Sequence, residues 1–314
     1  MRAAYLGPQG TNSHEALLAA ELEAEYVEFP TVGAVVGAIQ EGAADRALVP
    51  LENSREGAVA ATLDALVFDA PDVRIVGELV HKVSYCLAAA ESIAPDEVRT
   101  VHSHPQATGQ CAGFLAAQLP AAAVIAAAST AGAVRAVADG DALAGPPPHA
   151  AIGTLHAAAL YGAVVLAERI EDDADNATRF AWIARAGDED APGAAGPRST
   201  AAAATPGAAG PRSTAAAPTP RAAPSTAPIK TAIVFWGGGD QAPGWLVDCL
   251  TEFSSRSINL TRIESRPRRV GLGSYMFFCD LEGAAASATI TAAIAGLRAR
   301  CEAVRVLGSF PAAA

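Results

Sequence analysis

Aromatic residues make up only 5% of the 314-residue chain, so no core in it can rest on large flat rings. Packing must come from small side chains, alanine above all, which also inflates the hydrophobic fraction of 51%. No apolar run reaches the roughly 20 residues that span a bilayer. The stretch from Ala121 to Val134 is interrupted by Ser129 and Thr130 and runs into Arg135, so the sequence predicts neither a transmembrane helix nor a membrane partner. A basic run is lacking too. With a net charge of −11 and no cluster of cations to offset phosphate repulsion, nucleic acid is not an expected partner. Cys86, Cys111, Cys249, Cys279 and Cys301 form an odd set without a CxxC pair, which predicts reduced thiols used as small buried residues. The stretch from Met1 to Pro8 turns at once into Gly and Pro without an apolar signal core. Export is not expected, and a cytoplasmic location is the default.

The length predicts two or three units of roughly 100 residues each. Between Gly187 and Pro228 the composition collapses to Ala, Pro, Gly, Ser and Thr, and Gly193 to Pro206 recurs almost unchanged as Gly207 to Pro220. Such a segment buries too little apolar surface to offset its ordering entropy, which predicts a flexible linker over 187–228. Before it, strand-like and helical stretches alternate, with strands expected at Ala3–Leu6, Ala47–Val49, Val73–Val76, Ser84–Ala88, Arg99–Val101, Ala123–Ile125 and Ala150–Ile152. That alternation implies an α/β unit over 1–186. Its size suits two lobes around a cleft, expected at 1–78 with 155–186 and at 79–154. After the linker, 229–314 reads β-α-β-β-α-β, a ferredoxin-like order.

Four stretches could carry chemistry. Gly7 to Glu15 sets glycines and small polar residues, Thr11 among them, between a strand and an Ala/Leu-rich helix. A helix start there would offer N–H groups to a carboxylate, and an ordinary turn capped by Ser13 accounts for the same residues. Val49 to Gly57 ends a strand in a polar cluster whose Asn53 and Ser54 could bind a ligand or cap their own turn. His102-Ser103-His104-Pro105-Gln106 invites a metal, but no spaced third ligand accompanies it. The cap of a helix starting near Pro105, with Ser103 or Gln106 facing the cleft, is the simpler reading, and no metal is expected. Asn176-Ala177-Thr178-Arg179-Phe180 places a hydroxyl beside an obligate cation at the mouth of an apolar strand. Proton donation by Thr178 to a small anion held by Arg179 is one reading. A surface ion pair of Arg179 with Asp172 or Asp173 is the other.

The order of motifs GPQGTNS, VPLENS, SHPQATGQC, ST-A, AAIGTLHAAALYG, NATRF, ESRP and VLGSFP resembles the prephenate dehydratase family of the two-part bacterial type. The resemblance covers all of the chain outside the linker. It implies a bilobed catalytic unit like a type II periplasmic binding protein, followed by a regulatory ACT unit. It further implies the decarboxylating dehydration of prephenate to phenylpyruvate in phenylalanine biosynthesis, without cofactor or metal, in a homodimer or homotetramer. Carried over residue by residue, Thr178 is the catalytic hydroxyl, and Thr11, Asn53, Ser54, Ser103, Gln106, Asn176, Arg179 and Phe180 form the substrate site. Phenylalanine is expected at Gly244, Trp245, Leu246, Asn259, Glu264, Ser265 and Arg266, usually across a subunit interface. The chain departs from the family pattern at Asn12 and Trp245, and each departure bears on ligand choice. Two other functions fit the same sequence: an arogenate or broad cyclohexadienyl dehydratase, which needs an acid for the substrate ammonium, and a non-catalytic amino-acid sensor.

Overall fold

A computed structural model describes residues 1–141, 143–188 and 227–313. The expected linker lies almost wholly outside the described residues.

The first lobe is built from β1 (Arg2–Leu6), α1 (Asn12–Ala19), β2 (Glu25–Phe29), α2 (Val32–Gln40), β3 (Arg46–Asn53), β4 (Gly57–Ala58), α3 (Ala60–Asp64) and β5 (Val73–Lys82). The chain then enters the second lobe through β6 (Cys86–Ala89), β7 (Thr100–Ser103), α4 (Pro105–Gln110), α5 (Ala112–Gln118) and β8 (Ala123–Ala126). This lobe continues with α6 (Thr130–Asp139), β9 (His149–Gly153), α7 (Leu155–Tyr161) and β10 (Val164–Glu168), before β11 (Ala177–Arg185) returns to the first. The sheet orders are β2-β1-β3-β11-β5, with β4 on β3, and β10-β6-β9-β7-β8. Two α/β lobes with two crossings are thus present, as expected. The boundary expected at 154/155 is not: β10 pairs antiparallel with β6, so α7 and β10 belong to the second lobe and the return crossing falls after Glu168.

The second unit comprises β12 (Ile229–Trp236), α8 (Trp245–Ser254), β13 (Leu260–Pro267), β14 (Tyr275–Glu282), α9 (Ala288–Arg298) and β15 (Ala303–Pro311). Its antiparallel order β13-β14-β12-β15 is the ferredoxin-like arrangement. Alternation along β12 divides the burial cleanly. Ile233 and Phe235 pack under α8 and α9, while Ala232 and Val234 join Met276, Phe278, Leu307 and Phe310 in a core shared with the first lobe. The sheet is therefore buried on both faces, one of them by the lobe that carries β11. Contact between the units is close at Gly308, where an added Cβ would lie 2.0 Å from the carbonyl oxygen of Ile75.

β11 lies between β3 and β5, antiparallel to both. The register sets Thr178 opposite Asn53 and Arg179 opposite Glu52, and a bulge then sets Phe180 opposite Pro50. The extra residue is Leu51. A strict period of two would turn Pro50 and Asn53 to opposite faces, because they stand an odd number of residues apart. The bulge lets both face the cleft and sends Leu51 and Glu52 together toward the second unit.

Candidate active site

A cleft of about 440 Å³ opens between the lobes. Its wall includes Thr11, Asn12 and Ser13 at the start of α1, His104 and Gln106 at the start of α4, and Ser129 and Thr130 at the start of α6. Local sequence explains each start. Thr11 caps α1 through its Oγ1, which accepts from His14 N, and Ser129 caps α6 by accepting from Gly132 N. Thr11 rather than Ser13 is the cap; Ser13 sits inside the first turn. His104 caps α4 with Pro105 as its first residue, and no group of residues suited to a metal ion occurs among the described residues. Helix starts present N–H groups and a partial positive charge, the natural partners of a carboxylate. Among the described residues lining the cleft, none is Asp, Glu, Lys or Arg.

Thr178 and Phe180 project from β11 into this cleft, beside Asn53 and Pro50 of β3. Asn53 Oδ1 accepts from the backbone N–H groups of Arg55 and Glu56, at 3.0 and 3.1 Å. That fixes the amide orientation and points Nδ2 at Thr178 Oγ1, 3.0 Å away. With an acceptor site of the hydroxyl occupied by Asn53, its proton is available to the cleft. The hydroxyl is thus held as a donor facing the place where an anion would sit.

Several expected substrate residues stand behind this wall instead. Asn176 is fully buried, accepts from Asn53 Nδ2 at 3.0 Å and donates to Gln110 Oε1 at 2.8 Å. It ties the lobes together at the hinge rather than reaching the cleft. Ser54 Oγ accepts from Ala177 N at 3.0 Å, pinning the end of β3 to the start of β11. Ser103 is likewise buried, donating to Ile152 O at 2.7 Å. Arg179 requires the largest correction. Alternation sends its side chain to the opposite face of the sheet, where it pairs with Glu52, Glu78 and Asp280. It cannot hold a carboxylate in the cleft, nor does it pair with Asp173, whose partner is Arg55. Conversely, Tyr85, Gln110, Ser129 and Thr130 line the cleft, and none of them was expected from the sequence to be a substrate residue.

The lobes meet through polar contacts beside the cleft. Asn12 Nδ2 donates to Tyr85 Oη at 3.3 Å, and Thr154 Oγ1 donates to Gly10 O at 3.0 Å. Gly10 is required: its φ is +87°, and a Cβ there would press on Ala157 at 3.0 Å. The Gly10 N–H donates to His14 Nδ1 at 3.1 Å, and His156 Nε2 lies 3.2 Å from the same nitrogen. Nδ1 can accept from both only while unprotonated. Burial, reinforced by the charge of His156, pushes His14 below its ordinary range. A group lowered in the native state contributes its full stability above about pH 6.5 and loses it as pH falls through the lowered native value. The thermal midpoint should therefore fall between pH 7.5 and pH 5.5, and His14→Gln should shrink that fall. An identical pH dependence in the variant would remove His14 from this role.

Beside β14 and α8, a smaller cavity of about 190 Å³ is lined by Gly244, Trp245, Leu246, Val247, Tyr275 and Phe277, among others. Trp245 is turned largely inward, its ring tilted against those of Phe235 and Phe277, with Nε1 donating to Arg300 O at 3.0 Å. Asn259, Glu264, Ser265 and Arg266, expected with it, are not part of this lining. Asn259 donates to Glu282, Arg266 pairs with Asp64 of the first lobe, and Glu264 and Ser265 stand on the edge strand β13.

Fold and cleft together define a two-lobed α/β unit carrying a positioned hydroxyl, followed by a ferredoxin-like unit. A sequence model of the family described as Prephenate dehydratase matches residues 3–188. A prephenate dehydratase of Mycolicibacterium vanbaalenii is 35% identical over 98% of this chain and 90% of its own length; one of Amycolatopsis methanolica is 36% identical over 98% and 88%. The crystal structure of prephenate dehydratase from Arthrobacter aurescens, in complex with L-Phe, superposes with a TM-score of 0.77 at 32% identity, covering 99% of this chain and 90% of that one. The chain belongs to the prephenate dehydratase family.

Proposed function

We propose that the cleft binds prephenate as a dianion and converts it to phenylpyruvate, carbon dioxide and water. The observation that carries this reading is a cleft walled by helix starts, with no Asp, Glu, Lys or Arg among the described lining residues and the Thr178 hydroxyl held by Asn53. The starts of α1 and α6 supply N–H groups for the two carboxylates, and neither needs a fixed cation. Loss of carbon dioxide sends the electron pair of the breaking C–C bond into the ring. The ring becomes aromatic as the opposite C–O bond breaks, and the departing oxygen takes one proton. Thr178 donates it late in the transition state and recovers one from water, so the bond changes balance without a redox or group carrier. An ammonium-bearing analogue such as arogenate would need a carboxylate partner in the cleft, and the described lining residues offer none. This favours prephenate over the alternative substrate. The held hydroxyl likewise favours an enzyme over a sensor.

The second unit is read as an ACT regulatory unit that binds L-phenylalanine at the cavity beside Gly244 and Trp245. A second copy completes the site, because Glu264 and Ser265 do not reach the cavity of their own chain. Val247 and Tyr275, which line it, are 65% and 44% exposed. A homodimer or homotetramer in the cytoplasm, where the five free thiols stay reduced, is the assembly implied.

The test is phenylpyruvate formation from prephenate by the purified chain, with a chelator present and no cofactor added, with and without phenylalanine. Turnover that responds to phenylalanine supports both halves of the reading. No turnover by folded protein rejects the substrate. Ser265→Ala should weaken the response while leaving the basal rate as it was, and an unchanged response curve would count against the assignment of the effector site.

A further inference from the structure

On the prephenate reading, we propose that Arg179 is a positioning residue through which Asp280 of the second unit fixes the geometry of Thr178.

Strand register ties the two residues together. Thr178–Asn53 and Arg179–Glu52 are successive pairs on the same two strands. On the cleft face the first pair makes the hydrogen bond that orients the hydroxyl, at 3.0 Å. On the opposite face the second pair makes a two-pronged contact, Nη2 and Nε of Arg179 to Glu52 Oε2 at 2.7 and 3.1 Å. Moving either pair along the strands moves the other, because adjacent residues share one rigid peptide.

Arg179 is also held from across the unit boundary. Its Nη1 donates to Asp280 Oδ2 at 2.9 Å and to Glu78 Oε2 at 3.0 Å. Asp280 is fully buried and is gripped a second time by Arg262, at 2.9 and 3.1 Å. Glu78 is held in turn by Lys230 at 2.7 Å and by Ala313 N at 2.8 Å. Burial would raise Asp280, but the charges and hydrogen bonds of Arg262 and Arg179 outweigh it and hold its carboxyl below the usual range. The cluster is balanced in sign, with Arg179, Lys230 and Arg262 facing Glu52, Glu78 and Asp280. A buried charge in such a set tolerates little displacement, because losing a partner strands the others.

Asp280 is well placed to report on the second unit. It stands on β14, which also carries Tyr275 and Phe277 in the wall of the small cavity. A shift of β14 on filling that cavity would reach Arg179, and so Thr178, through one strand and one ion pair. Among the described residues the remaining ionic links between the units run elsewhere: Arg266 and Arg269 meet Asp64 at the end of α3. Asp64 therefore serves as a control that weakens docking without touching β11.

The experiment compares Asp280→Asn, Arg179→Lys and Asp64→Asn in the full chain. Each is assayed with prephenate, and each is examined by NMR at the Asn53 side-chain amide, assigned by its loss in Asn53→Asp. The expected result is a fall in kcat of about tenfold or more in D280N and R179K, since small misplacements of a reacting group are costly. KM should stay within about threefold. The Asn53 amide resonance should move in both variants, while D64N keeps the parent kcat and resonance. A folded D280N with the parent kcat and an unmoved resonance overturns the proposal, as does a D64N that loses activity equally. If D280N does not fold, R179K, which keeps the charge and loses the fork, is judged by the same two criteria. The resonance needs no substrate, so a failure of the prephenate reading leaves this test intact.

Discussion

Replacing Thr178 with alanine is expected to lower kcat by about 10²- to 10⁴-fold, the usual contribution of a positioned proton donor. KM should change little, because the proposed carboxylate partners are helix starts on other elements. The fold should survive. Thr178 is 8% exposed, and the Asn53 amide that it releases keeps Asn176 Oδ1 and Ala177 O as acceptors, at 3.0 and 3.2 Å. Loss of one such hydrogen bond costs about 1 kcal/mol. Thr178→Ser keeps the hydroxyl but frees its rotation, so it should retain part of the rate. Steady-state rates with a thermal melt decide the matter: alanine turnover close to that of the parent protein would dismiss the hydroxyl as donor.

The second large effect is expected from Gly308→Val. Even the first carbon of the new side chain would lie 2.0 Å from the Ile75 carbonyl oxygen, and 3.0 Å from Ile75 N. Backbone cannot yield as a flexible side chain does, so β15 and β5 must part. Overpacking of this kind costs about 1–3 kcal/mol where neighbours can adjust, and here the upper end or more is expected. The midpoint should drop by several degrees. Activity should fall with it, since separation of the units also draws Asp280 away from Arg179. A midpoint and rate equal to those of the parent would show that the two units do not meet at Gly308.

Much of this architecture was legible in the residues. The ferredoxin-like order of the second unit could be read because β12 and β14 are apolar, bounded strands and α9 carries a clean cap at Ser287. Thr11, Asn53, Gln106, Thr178 and Phe180 all line the cleft, and Thr11, Asn53 and Gln106 lie at the carboxyl end of a strand or the start of a helix, where ligand sites of α/β sheets gather. The facing of Arg179 is legible by the same pattern. Thr178 and Phe180 share a face by the period of two, which sends the residue between them the other way. What could not be read depends on tertiary contact. β2, with exposed Glu25, and α2, apolar on all sides with two glycines, carry neither a clean strand nor a clean helix pattern. The assignment of β10 to the second lobe depends on its pairing with β6, over seventy residues earlier in the chain. Ser103, Ser54 and Asn176 are polar residues in the right motifs, and only the partners of their side chains separate a wall from its backing.

The central place of β11 has a consequence for synthesis. β3 and β5 do not pair with each other; both wait for a strand that begins at Ala177, some ninety residues after β5 ends. At about 5–20 residues per second, the first lobe spends several seconds on the ribosome with two apolar strand edges open, the kind of edge that invites misassembly. The whole second lobe is made during that wait and can fold first. The strand that closes the gap is the one that carries Thr178, so the proposed donor takes up its place only in a lobe that is complete.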